Sequence, residues 1–139
     1  MQIGKCQCGA VEIQAPDKMN KIGACYCATC RKINGGGPLL GLHGNSELKA
    51  SGQEYIERYA SSDWAERGFC KKCGTTLFYH LTVGSQDYIY SAGLFENADF
   101  EITSEIFVDA KPDYMGFLSE NSVKKTTQQV FDEVNKNDA

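Results

Sequence analysis

Residues 25–32 read CYCATCRK, three thiols followed at once by two cations. Cysteine thiolate is a soft donor suited to zinc, and a closed structural zinc takes four such ligands at the corners of a tetrahedron. Cys25, Cys27 and Cys30 supply three, which leaves a fourth position for water or substrate, the arrangement of a catalytic zinc. Spacing alone leaves two other readings open: a closed site completed by a further residue, or a redox-active trio without metal. Three thiolates around a divalent ion give a net charge near minus one, so bound water is acidified less than at a site of neutral histidines. Hydrolysis is therefore not the expected chemistry. A sulfur-rich ion suits the capture of an incoming thiol and its ionisation below the usual pKa of about 8.5.

The other four of the seven cysteines form two short pairs, Cys6-Gln7-Cys8-Gly9 and Cys70-Lys71-Lys72-Cys73-Gly74. CxxC is the spacing of a zinc knuckle, and Gly74 permits the sharp turn that such a knuckle needs. Cys6 and Cys8 with Cys70 and Cys73 would close a structural zinc site and tie the N-terminal segment to a distant hairpin. Redox cysteines or an iron–sulfur cluster are the alternatives.

The elements that must position these thiols are mostly strands. Period-2 alternation with β-branched and aromatic residues marks Ala10–Ala15, Tyr55–Ala60, Thr75–Leu81, Asp87–Ala92 and Ile102–Val108. Gly35-Gly36-Gly37-Pro38, Gly44-Asn45, Ser51-Gly52 and Val83-Gly84-Ser85 are turn signals at intervals too short for helical crossovers, which predicts a largely antiparallel sheet. From Ser122 onward Val123, Val130, Phe131 and Val134 approach helical spacing, so a short C-terminal helix or tail is expected over about 120–139. No repeat or linker divides the 139 residues, and a single zinc-binding domain is expected over 1–139 with its core over about 4–108.

The formal net charge of -4, with no run of lysine or arginine, argues against nucleic acid as a partner, since that grip depends on neutralising phosphates. The first residues lack the apolar core of a signal peptide, and no apolar run has the length of a membrane span. An odd number of cysteines at metal-like spacings predicts a reducing, cytoplasmic setting rather than a disulfide framework.

Arg31, Lys32, Arg58 and Arg67 are candidates to meet the carboxylates of a peptide thiol, with solvated surface charge as the plainer reading and, for Arg31 and Lys32, charge balance beside an anionic metal cluster. His43 and His80 could each act as a general base, although neither lies in a cysteine motif and hydrogen-bonded structural roles are expected. Tyr59, Trp64, Phe69, Phe78 and Tyr79 surround the third cysteine motif as pocket wall or, more simply, core packing.

Together, GKCQCGAV, CYCATCRK and RGFCKKCGTTLF resemble the motifs of the glutathione-dependent formaldehyde-activating enzyme family, which includes the domain of centromere protein V. The resemblance runs from about Gly4 to Val108 and takes in Arg31, Gly35 to Gly37, Tyr59, Ser61 and Ala92-Gly93 in the same order. It implies a β-tent type fold, a structural zinc at Cys6, Cys8, Cys70 and Cys73, and a catalytic zinc at Cys25, Cys27 and Cys30. It also implies a carbon–sulfur lyase that joins glutathione to formaldehyde reversibly, giving S-(hydroxymethyl)glutathione. A non-enzymatic protein-binding module of the same fold is the rival reading. Where family members commonly carry a late-strand histidine this chain has Glu105, and Tyr114 stands near a usual tryptophan, so its substrate is expected to differ accordingly.

Overall fold

The computed structural model describes residues 1–97 and 99–137. Among them the fold is mainly β, with a short C-terminal helix. In chain order the elements are β1 (Gln2–Lys5), β2 (Glu12–Ala15), β3 (Lys21–Cys25), α1 (Ala28–Ile33), β4 (Leu39–His43), β5 (Ala50–Ser51), β6 (Ile56–Ala60), β7 (Ala65–Cys70), β8 (Thr76–Leu81), β9 (Tyr88–Ser91), β10 (Glu101–Ile106), β11 (Val123–Lys125) and α2 (Thr127–Asn137). The described chain divides into two compact units, Met1–Asn20 with Gly41–Phe100, and Lys21–Leu40 with the segment from Glu101 onward.

The first unit is antiparallel, as its short turns require. β1 pairs with β2 from Gln2↔Ala15 to Lys5↔Glu12, and β2 continues to β5. β6, β7, β8 and β9 follow one another as neighbours, and β9 takes Gly41–His43 of β4 as its other partner. Val11, Ile13, Leu77 and Phe78 are fully buried in this unit. Each apolar side chain removed from water in this way stabilises the fold by roughly 1.5–3 kcal/mol.

The second unit departs from the antiparallel expectation. β3, β10 and β11 run parallel, with Ile106 opposite Cys25 on one side and opposite Lys125 on the other. Parallel neighbours need long connections. β3 and β10 are separated by the whole of Gly41–Phe100, while β10 reaches β11 through a 3-10 turn at Val108–Ala110 and the loop that follows. Val123, expected in the C-terminal helix, therefore lies in β11, where the ladder to Ser104–Ile106 overrides a weak helical period.

Helix α2 starts later, at a reciprocal cap: Gln129 N–H donates to Thr126 Oγ1 at 3.2 Å, and Thr126 N–H donates to Gln129 Oε1 at 2.8 Å. Phe131 of α2 packs edge-on against Phe107, with ring centroids 6.1 Å apart. The last two residues of the expected helix lie outside the described residues. No helix among the described residues is long and apolar enough to cross a membrane.

Candidate metal centres

Two turns of the first unit bring four thiols together. After β1 the chain folds back so that Cys6 N–H donates to Val11 O at 3.1 Å and Gly9 N–H to Cys6 O at 3.0 Å. Between β7 and β8 Cys70 N–H donates to Thr75 O at 2.9 Å and Gly74 N–H to Cys70 O at 2.7 Å. Gly9 and Gly74 occupy the left-handed region, at φ 79 and 78°, which glycine enters at no steric cost.

Cys6 and Cys8 Sγ lie 3.7 Å apart, Cys8 and Cys70 Sγ 3.9 Å apart, and all four sulfurs fall within 4.8 Å of one another. Sulfurs bound at about 2.3 Å around a tetrahedral zinc would be separated by about 3.8 Å, so this donor set fits such an ion. Val11 N–H points at Cys6 Sγ at 3.3 Å. Thr75 links the two turns: its Oγ1 accepts from Gln7 N–H at 3.1 Å and lies 3.1 Å from Cys73 Sγ. The Thr75 hydroxyl, then the amides of Thr75 and Cys8, hold the Cys73 thiol down at a pKa of about 5, favouring the ligand-competent thiolate.

The second cluster forms where β3 meets α1. Alternate residues of an extended chain share a face, so Cys25 and Cys27 look one way and Tyr26 the other. Cys27 caps α1, its sulfur accepting from Cys30 N–H at 3.4 Å, and the helical turn returns Cys30 to the same point. The three sulfurs lie within 4.8 Å of one another, and no fourth Cys, His, Asp or Glu joins the group among the described residues. Cys25 and Cys27 are half-buried and Cys30 is buried. The neighbouring sulfurs of Cys27 and Cys30, followed by burial, push the Cys25 thiol well above its ordinary range. Three sulfurs this close do not all ionise unless a cation joins them, and a bound metal reverses that preference.

Arg31 stays beside the trio, but through the backbone: its Nε donates to Tyr26 O at 2.9 Å. Glu105 is fully buried and accepts from Tyr26 Oη at 2.5 Å, a partnership that the sequence did not disclose. Burial opposes its charge, yet the Leu118 amide, the Ser122 and Tyr26 hydroxyls and the Ser119 amide outweigh that cost and bring its pKa down to about 2. Burial, and then the Glu105 charge, raise the Tyr26 phenol. Tyr114, in contrast, is 79% exposed.

Apart from Lys32, the remaining candidates belong to the first unit, whereas the trio belongs to the second. His43 Nε2 lies 3.1 Å from Asp87 Oδ2, and His80 Nδ1 lies 2.8 Å from Glu66 Oε1 while its ring stacks on Tyr88. Both histidines thus have the hydrogen-bonded roles expected of them. Arg58 and Arg67 are not freely solvated. Arg58 reaches Glu66 at 2.5 Å and Tyr88 Oη at 3.1 Å, while buried Arg67 donates to Ser61 Oγ and lies over the Tyr79 ring. Lys32 is exposed. Phe78 is core, Phe69 and Tyr79 are half-buried, and Tyr59 and Trp64 are at least half exposed, which overturns core packing for those two because they occupy solvent-facing positions around β6 and the turn after it.

A sequence model described as glutathione-dependent formaldehyde-activating enzyme matches residues 1–110. A Schizosaccharomyces pombe protein named as an uncharacterized lyase is 37% identical over 136 residues, covering 96% of this chain and 93% of its own. A Halomonas elongata protein with the provisional name glutathione-dependent formaldehyde-activating enzyme is 34% identical over 86 residues, covering 54% of this chain and 53% of its own. A crystal structure of a Rhodobacter sphaeroides protein superposes with a TM-score of 0.59 at 22% identity, covering 89% of this chain and 99% of that one, which is a likeness of fold. With cysteine motifs, fold and sequence match in agreement, the chain belongs to the glutathione-dependent formaldehyde-activating enzyme family.

Proposed function

We propose that the protein is a zinc-dependent carbon–sulfur lyase that joins a glutathione-like thiol to formaldehyde or a related small aldehyde, and releases them again. The observation that carries this reading is the three-sulfur group of Cys25, Cys27 and Cys30, without a fourth protein donor among the described residues, beside a separate four-sulfur group. Family membership and the lyase-named relative support it. Cys6, Cys8, Cys70 and Cys73 would hold a structural zinc and the trio a catalytic one. Bound at the trio, zinc supplies a Lewis-acidic position that favours the thiolate form of a thiol at neutral pH.

In the reaction the sulfur of the thiol adds to the carbonyl carbon. One C–S bond forms, the carbonyl π pair moves to oxygen, and the proton released by the thiol ends there. Cleavage runs the same path backwards. Half-buried Cys25 and Cys27 leave the cluster reachable by a small thiol. Arg31, oriented by its Nε contact to Tyr26 O, would offer the remainder of its guanidinium to a carboxylate of that thiol. Thiol and aldehyde already react unaided, so most of the rate gain comes from holding them together. A reducing cytoplasmic setting suits seven cysteines that form no disulfide.

The test is exchange NMR of glutathione and formaldehyde with and without the protein. Adduct formation and cleavage should accelerate with wild type and return to the background rate with Cys27→Ser. If the wild-type protein has no effect on exchange with its metals in place, the lyase reading fails. A central metal that neither thiol nor aldehyde perturbs would instead favour the protein-binding module.

A further inference from the structure

Tyr26 sits between two ligand cysteines, and each of its polar groups is engaged by another part of the second unit. Its N–H donates to Ile106 O at 3.1 Å, its carbonyl accepts from Arg31 Nε at 2.9 Å, and its hydroxyl donates to Glu105 Oε1 at 2.5 Å. Its side chain is fully buried. Cys25 and Cys27 project from the opposite side of the same extended stretch, so any roll of Tyr26 about the chain axis would displace both sulfurs.

Glu105 is held in turn by the C-terminal segment. Its Oε1 also accepts from Leu118 N–H at 2.8 Å, and its Oε2 accepts from Ser122 Oγ at 2.5 Å and Ser119 N–H at 3.4 Å, with Lys124 Nζ 3.7 Å away. Lys124 Nζ also donates to Ser119 O at 2.8 Å and Ser122 Oγ at 3.0 Å, closing the loop on itself. A carboxylate offers about four acceptor sites, and this one meets donors at both oxygens, so it couples the loop rigidly to the tyrosine. Leu118, Ser119, Ser122 and Lys124 all lie beyond the stretch 1–110 that matches the family.

Resting on the reading of the trio as a metal centre, we propose that segment 118–124 is a clamp that acts through Glu105 and Tyr26 to fix the spacing of Cys25 and Cys27, and so sets the metal affinity of the three-cysteine centre. Tyr26, Glu105 and Ser122 are positioning residues. The part of this chain outside the family match thereby tunes the site inside it. Removing a partner that orients a metal ligand typically costs 10- to 100-fold in affinity.

The test uses the full chain loaded with cobalt(II), whose thiolate charge-transfer and d–d bands report on sulfur coordination, titrated against a competing chelator. Cys27→Ser supplies the spectrum of the four-cysteine site alone, and its subtraction isolates the trio. Tyr26→Phe and Ser122→Ala should each weaken the trio by about tenfold and shift its d–d bands. The four-cysteine site should change by less than about twofold, since it shares no partner with them. Ser122→Thr, which keeps the hydroxyl, should recover the affinity. Tyr90→Phe removes a different buried phenol and should alter neither site. Wild-type affinity and spectrum at the trio in both Tyr26→Phe and Ser122→Ala, even with lowered melting temperatures, would reduce the network to ordinary packing and overturn the clamp. A wild-type trio that takes no metal would overturn the functional reading and the clamp together, an outcome distinguishable because it appears before any substitution is made.

Discussion

The four-cysteine cluster draws its sulfurs from two glycine-ended turns, one on the β1–β2 hairpin and one between β7 and β8 of a different sheet, whereas the three-cysteine cluster draws them from the end of β3 and the start of α1. Backbone hydrogen bonds place the first set, with Thr75 bridging the turns. Around the second, side chains do much of the holding: Arg31 on the Tyr26 carbonyl and Glu105 on the Tyr26 hydroxyl. A centre framed by backbone and supplied with four donors is suited to fastening the fold. A centre with three donors, adjusted by side chains, is suited to exchange a ligand. The contrast teaches that two sulfur clusters of one chain can differ both in the number of donors and in what holds them.

The sharpest way to break the contrast is to remove one sulfur from each side. Cys73→Ser should release the metal of the first centre, and because a structural zinc site can contribute on the order of 10 kcal/mol to folding, a loss of several kcal/mol is expected in denaturant titrations. Metal analysis should follow it downward. Cys27→Ser should leave the melting curve close to wild type while exchange of the thiol–aldehyde adduct falls by at least about 10²-fold, as expected when reactants are no longer positioned. If the two variants behaved alike, the division of labour would be wrong.

Acid tests the second unit separately. Glu105 titrates near 2 in the folded chain against an ordinary 4.5, so its contribution is complete above the unfolded value and is lost as the pH falls from about 5 toward 2. Glu105→Gln, which also turns an amide donor toward a site where the Leu118 and Ser119 amides donate, should destabilise the protein by about 3 kcal/mol at neutral pH and flatten the acid limb of a stability–pH curve. Gly74→Ala probes the first unit more gently. A Cβ there meets no atom within 4 Å, so only the strain of φ +78° remains, and a loss of about 1–2 kcal/mol by thermal melt is expected. The smallest effect belongs to His43, exposed and paired with Asp87: His43→Ala should stay within about 0.5 kcal/mol and leave adduct exchange unchanged.

Both cysteine groupings were legible in the sequence because metal-ligand spacing is local and each pair ends in its own turn. Strands with clean alternation, such as β8 and β9, were legible within a residue or so at either end. β1, β3, β4 and β7 were not, and each contains a glycine that interrupts the pattern: Gly4, Gly23, Gly41 and Gly68. Three of these mark close approaches that no alternation rule reports, since a Cβ would come within 2.9 Å of Leu94 Cβ and the Phe95 ring at Gly4, within 2.7 Å of Ser104 Oγ at Gly23 and within 2.3 Å of the Phe78 ring at Gly68. The Tyr26–Glu105 pair was hidden for a different reason. Its partners stand 79 positions apart and meet only through the parallel pairing of β3 with β10, while a glutamate inside ITSEIFV reads as the polar side of a strand.

On the proposed function the trio, fully loaded, keeps a coordination position for a thiol from outside while the quartet does not. A crystal structure of the two-metal protein soaked with glutathione, phased on the zinc anomalous signal, tests it most directly. The glutathione sulfur should be bound at the Cys25, Cys27 and Cys30 ion, with four protein sulfurs around the other. A fourth side chain of the same polypeptide sealing the first ion, with glutathione bound at neither, would contradict it.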